Sequence, residues 1–95
     1  MKILYTKHAE MKFQILKRHN FTVTKEQIRD ILENPEGIRR GRKNRLIAQR
    51  SISETHLIRV IYRQENNVIK VITFYPGRRQ RYENQLRQRR RHTDV

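Results

Sequence analysis

Between Lys7 and Arg18 the apolar residues Ala9, Phe13 and Leu16, flanked by Met11 and Ile15, recur at near-helical spacing, with Lys7, Lys12 and Lys17 among the other positions. Thr6 precedes this stretch as a natural N-cap, so the pattern predicts an amphipathic helix from there to about Arg18. A second helix is predicted from Thr24, where Thr24-Lys25-Glu26-Gln27 fits a capping box and Ile28, Ile31 and Leu32 fall on one stripe. Asn34-Pro35 ends it, because proline disfavours helix in the residue before it. Past Gly37 the period changes from 3.6 to two. Leu46 to Ile52, His56 to Arg63 and Val68 to Tyr75 are rich in Ile, Val, Thr and aromatics and read as strands. Shorter strands are expected around Ile38 to Arg42 and Ile3 to Tyr5. The Asn66-Asn67 pair suits a two-residue hairpin turn with positive φ angles.

Pairing Glu65 with Val68 across that turn places His56, Ile58, Val60 and Tyr62 on one face with Ile69, Val71, Thr73 and Tyr75, an apolar surface for the helices to cover. Leu57, Arg59, Ile61 and Arg63 then share the other face with Lys70, Ile72 and Phe74. A three-residue turn at Ser53-Glu54-Thr55 adds Arg45 and Gln49 to this open face and sends Leu46, Ala48 and Ile52 to the core. The expected fold is α+β: two N-terminal helices packed on one face of an antiparallel sheet of about three to four strands, with a short N-terminal strand and a basic C-terminal segment. Residues 1–83 form a single domain in this reading and residues 84–95 a basic tail.

Composition narrows the function classes. A chain of 95 residues with 35% hydrophobic residues has room for one modest core and none for a two-domain enzyme built around a buried cofactor cleft, so no cofactor is expected. The absence of cysteine excludes disulfides, thiolate metal sites and a cysteine nucleophile, and makes a cytoplasmic setting the expectation. The opening apolar run is too short for a signal peptide, and no segment approaches the roughly 20 apolar residues of a membrane span, so no membrane association is expected. Charge is the dominant feature. Twenty-three Lys and Arg against nine Asp and Glu give a formal +14, of which residues 1–34 carry +3 and residues 35–95 carry +11. Fourteen of the sixteen arginines lie in that second part. Arginine grips phosphate bidentately and stacks on bases, so the bias favours a nucleic-acid partner over a general cationic coat.

The richest local chemistry follows the last strand, in Pro76-Gly77-Arg78-Arg79-Gln80-Arg81-Tyr82. Proline and glycine turn the chain there and deliver three arginines and a tyrosine together. Such a cluster can hold a phosphate and stabilise the extra negative charge of a pentacovalent phosphorus. His8, in the first turn of the first helix, is a candidate proton carrier, and His56 is a second titratable group beside a turn. His19 and His92 are isolated, no histidine and carboxylate spacing resembles a metal-ligand set, and no phosphate-binding glycine loop or nucleophile elbow is present.

The order of helices then strands, closing on Gly77-Arg78-Arg79-Gln80-Arg81-Tyr82, resembles the RelE/ParE toxin superfamily, whose last strand leads into a Gly-basic-Arg-x-Arg stretch followed by a tyrosine. Tyr5-Thr6-Lys7-His8-Ala9, the run from Val23-Thr24-Lys25-Glu26-Gln27 through Glu33-Asn34-Pro35-Glu36, and Arg59-Val60-Ile61-Tyr62 are similar to the small DUF4258 family. The resemblance implies the compact microbial ribonuclease-like fold of RelE. It also implies a toxin-type endoribonuclease of a toxin-antitoxin system that cleaves RNA without metal through 2′-OH attack. Carried over residue by residue, it puts Arg79 on the scissile phosphate and gives proton transfer to His8 or Tyr82, although Tyr82 follows more closely in sequence than the family's tyrosine. Arg78 and Arg81 assist; Arg59, Arg63 and Lys70, which match no motif of the family and come from the open sheet face, are expected to line the RNA path. The implied partners are RNA, with ribosome-bound mRNA among the candidates, and an antitoxin protein. Two other functions fit the same basic face: a noncatalytic nucleic-acid-binding protein and a ParE-like topoisomerase inhibitor.

Overall fold

A computed structural model of the chain describes residues 1–79. Arg81, Tyr82 and the basic tail lie outside the described residues, as does the expected domain boundary at residue 83. The elements run β1 (Lys2–Tyr5), α1 (Lys7–Arg18), α2 (Lys25–Glu33), β2 (Gly37–Arg40), β3 (Leu46–Ser51), β4 (His56–Glu65) and β5 (Val68–Arg78). Both helices begin where their caps predict. Thr6 Oγ1 accepts from the Ala9 amide at 3.1 Å and donates to the Ile72 carbonyl at 2.8 Å, so one hydroxyl caps α1 and fastens it to β5. Thr24 and Gln27 form a reciprocal capping box, with bonds of 3.1 and 2.9 Å. Lys25 Nζ donates to Glu10 at 2.9 Å and lies 4.9 Å from the Tyr5 ring centroid, tying the two helices to β1. That hydrogen bond raises the Lys25 pKa, and burial raises that of the Tyr5 hydroxyl. Because Lys25 and Glu10 are exposed, the pair orients the helices more than it stabilises them.

The sheet is five-stranded in the order β1-β5-β4-β3-β2. The expected α+β fold, two helices packed on a sheet, is what forms; the correction at this level is that the sheet is mixed and not wholly antiparallel, because β1 runs parallel to β5, with Lys2 opposite Val68 and Tyr5 opposite Val71. No hairpin links these two strands, so nothing forces them antiparallel, and the chain reaches β5 only after both helices and three strands have been laid down. The other pairs are antiparallel, and Glu65 opposite Val68 is the register expected from the turn. Asn66 alone in that turn takes a positive φ, 54°.

A second correction follows from a β-bulge. The β4–β5 register runs from Glu65/Val68 to Tyr62/Val71 and then resumes at Ile61 opposite Thr73, leaving Ile72 as the extra residue. Beyond it every side chain of β5 changes face. Phe74, expected on the open face, is fully buried opposite Val60, and its ring centroid lies 4.6 Å from that of Phe13. Thr73 and Tyr75, expected in the core, lie opposite Ile61 and Arg59 on the other face. Burying a phenylalanine removes more apolar surface from water than burying a threonine and strands no hydroxyl, which favours the bulged register.

Ala9, Leu16, Ile28 and Ile31 from the helices meet Ala48, Ile58, Val60, Tyr62, Ile69, Val71 and Phe74 in one core. Arg50 fastens α2 to β3, reaching Asp30 at 3.4 Å and the Asn34 carbonyl at 2.7 Å. Among the described residues no helix is long and apolar enough to cross a membrane.

Candidate nucleic-acid interface

The sheet face away from the helices carries Gln49 and Ile47 on β3, Arg59, Ile61 and Arg63 on β4, and Lys70, Thr73 and Tyr75 on β5, as the pairing of these residues requires. Around the end of the sheet at the β3–β4 turn, a cleft of about 610 Å³ opens, lined by Phe21, His56, Arg59, Tyr75, Pro76, Gly77 and Arg78; Arg59 and Tyr75 reach it from this face, and His56 and Arg78, paired in line with Val60 and Phe74, from the helix side. Strand pairing builds it. Arg59 stands opposite both Gln49 and Tyr75, and His56 stands opposite Arg78. Gly77 leaves room for the Leu57 side chain opposite it, since a Cβ there would meet Leu57 Cδ1 at 3.3 Å.

Arg59 and His56 are each held in a way that leaves their chemistry available. Arg59 Nε donates to Gln49 Oε1 at 3.1 Å, and Gln49 is itself only 9% exposed. The amide fixes the guanidinium without neutralising it, so an anion still meets a full positive charge. The His56 ring leans edge-on against Phe21, with centroids 5.6 Å apart, and its Nδ1 lies 2.8 Å from Thr55 Oγ1. These contacts fix the ring and engage Nδ1, while Nε2 has no hydrogen-bond partner among the described residues. Arg79 follows directly. Its amide donates to the Thr55 carbonyl at 3.0 Å and its Nη1 to the Ser53 carbonyl at 3.4 Å, which anchors it on the β3–β4 turn beside the cleft.

The residues singled out from the sequence therefore separate into groups. Arg59 and Arg78 line the cleft, and Arg79 adjoins it. Arg63 and Lys70 face each other further along the sheet, four residues from Arg59, or about 13 Å at strand rise. His8 is exposed on the first turn of α1, whose cap is fixed at Ile72, whereas the far end of α1 leads to Phe21 beside His56. A helix of this length spans about 18 Å, so His8 and the cleft lie at opposite ends of α1. Arg81 and Tyr82 lie outside the described residues. Gln49 and Tyr75 had no functional role in the sequence reading: Gln49 was visible on the open face, and Tyr75 was hidden by the bulge. Among the described residues no group of three His, Asp or Glu side chains gathers as a metal site would require.

The uncharged nature of Gln49 yields a test. Gln49→Glu keeps the hydrogen bond to Arg59 and adds a carboxylate, so affinity for a phosphate-bearing oligonucleotide should fall about tenfold while thermal stability is held or raised. An unchanged Kd in a titration of both proteins would remove Arg59 from the binding site. Compared with known proteins, the chain matches no family model, no curated protein and no solved structure.

Proposed function

We propose that the chain is a metal-independent endoribonuclease of the toxin type, acting in the cleft between the β3–β4 turn and the end of β5. The observation that carries the reading is that a fixed histidine, a tyrosine and two arginines, His56, Tyr75, Arg59 and Arg78, line one cleft that wraps the end of the sheet, Arg59 and Tyr75 from the basic open face and His56 and Arg78 from the helix side. In the reaction the 2′-oxygen attacks the adjacent phosphorus and the bond to the 5′-oxygen breaks, leaving a 2′,3′-cyclic phosphate and a 5′-hydroxyl. Arg59, Arg78 and Arg79 stabilise the charge that grows on the non-bridging oxygens. His56 Nε2, in place of His8, accepts the 2′-hydroxyl proton, and the Tyr75 hydroxyl or water supplies a proton to the leaving oxygen. The helix and strand order, and the Gly77-Arg78-Arg79 exit from the last strand, support the resemblance to RelE-type toxins. An acidic antitoxin as partner belongs to the same proposal, supported by the net charge of +14.

The test is incubation of purified protein with total RNA in the presence of EDTA, followed by analysis of the new ends. Cyclic phosphate and 5′-hydroxyl ends are expected. Intact RNA, together with binding that weakens by orders of magnitude over a few-fold rise in salt, would instead identify a noncatalytic nucleic-acid-binding protein. That second reading has its own observation, the continuation of the basic face past the cleft to Arg63 and Lys70.

A further inference from the structure

We infer that the β2–β3 hairpin is a second RNA-binding element, which holds the single strand that leaves the cleft. The inference rests on the proposed RNA reading and extends it to a part of the molecule that the cleft does not include. The hairpin closes through a tight turn over residues 42 to 45, in which the Arg45 amide donates to the Arg42 carbonyl at 3.1 Å and Lys43 and Asn44 have φ of 57° and 59°. Two successive positive φ angles define a type I′ turn, for which Asn and Gly are the residues of choice. Lysine is a poor choice there, so Lys43 keeps a cation at the tip against local preference.

The charge of the hairpin is unopposed. Arg39, Arg40, Arg42, Lys43 and Arg45 occur within seven residues, and residues 37 to 53 contain no acid. The ion pairs among the described residues, Lys25–Glu10, Arg29–Glu33 and Arg50–Asp30, include none of the five. Arg45 adds an independent sign, because its Nε is closed off from solvent without a hydrogen-bond acceptor. A guanidinium already stripped of water on one side, with no partner, is suited to an anion at its remaining N–H groups.

Register connects the hairpin to the cleft. The β3–β4 pairing ends at Leu46 opposite Tyr62, so Arg45 comes next to the level of Arg63, which itself faces Lys70. Arg39, opposite Ile47, lies on the same open face. From His56 to Arg63 is seven residues, about 23 Å at strand rise. A phosphate in the cleft and a row of cations at that distance define the two ends of a short single-strand track, at the lower end of the footprints of small single-strand-binding folds, about four or more nucleotides.

The experiment measures binding of 2′-O-methyl oligonucleotides, which lack the attacking hydroxyl, at lengths from about 2 to about 10 nucleotides. It compares the wild-type protein with Arg39→Gln/Arg42→Gln and with Lys43→Asn/Asn44→Gly, the latter giving the turn its preferred residues. Wild-type affinity should rise with length until the track is filled and then level off. Both variants should bind the shortest oligonucleotides as the wild type does and lose about tenfold or more on the longest, with a salt slope shallower by about 0.7 for each phosphate contact removed. The turn variant should also melt at a higher temperature, which separates lost binding from lost folding. Equal losses at every length would reduce the hairpin to a source of long-range attraction, and an unchanged length dependence would remove it from the interface. Either result overturns the inference. Absence of binding at all lengths overturns it together with the RNA reading, whereas absence of cleavage of unmodified RNA with the length series intact overturns only the endoribonuclease.

Discussion

Phe74→Ala is expected to destabilise the fold by about 3–5 kcal/mol, the largest expected effect on stability of the substitutions considered. Phe74 is fully buried, faces Val60 across β4 and packs its ring on Phe13, which in turn meets Tyr5 edge-on at 5.7 Å. Removing the ring leaves a cavity bordered by β1, α1 and β4, all of which are held by other contacts and cannot collapse into it. Domains of this size have about 5–15 kcal/mol of stability in total, so the variant should show a much lower urea midpoint and partial unfolding near physiological temperature. Tyr75→Ala is the paired measurement. Tyr75 is half-buried on the opposite face, beside Arg59, and its loss should cost much less. A straight β4–β5 ladder without the bulge at Ile72 would reverse the two outcomes, with Tyr75 the costly position.

That reversal also marks the boundary of what the sequence makes legible. Thr6 and the Thr24–Gln27 pair announce the helix starts because capping is chemistry between residues three apart, and both bonds form as the spacing requires. The Glu65/Val68 register and the inward placement of Leu46 and Ala48 are legible for a similar reason, since a short turn fixes the pairing next to it. Val71-Ile72-Thr73-Phe74-Tyr75 is different: all five residues suit a strand, and either alternate set can face inward. The choice depends on a remote partner, the Phe13 ring on α1, and on the Thr6 hydroxyl bound to the Ile72 carbonyl. The parallel pairing of β1 is hidden for the same reason, because its partner lies more than sixty residues away.

The candidate site divides along the same line. Arg59 on the open face and Gly77-Arg78-Arg79 at the strand exit are visible as local pattern, while the cleft that unites Arg59 with Tyr75 exists only because the bulge turns Tyr75 toward it. His8 stands out through its short motif with Ala9. His56 looks like a structural residue until the pairing with Arg78 and the contact with Phe21 bring it into the cleft.

His56→Ala is expected to have the largest effect on activity, slowing RNA cleavage by about 10²–10⁴-fold, the range for loss of a positioned general acid or base. Equilibrium binding should change little, because a proton carrier stabilises the transition state and not the bound ground state. Since the ring also packs on Phe21, His56→Gln should be measured beside it, with melting temperatures for both. Single-turnover rates and Kd on one RNA at fixed salt separate chemistry from affinity. Arg79→Ala should likewise reduce the rate more than the affinity, because its guanidinium opposes charge that develops on phosphorus during the reaction. His8→Ala, at the other end of α1, should leave both nearly unchanged. Full activity in folded His56→Gln, with cleavage lost instead in His8→Ala, would move proton transfer out of the cleft and leave its arginines as a phosphate-binding site alone.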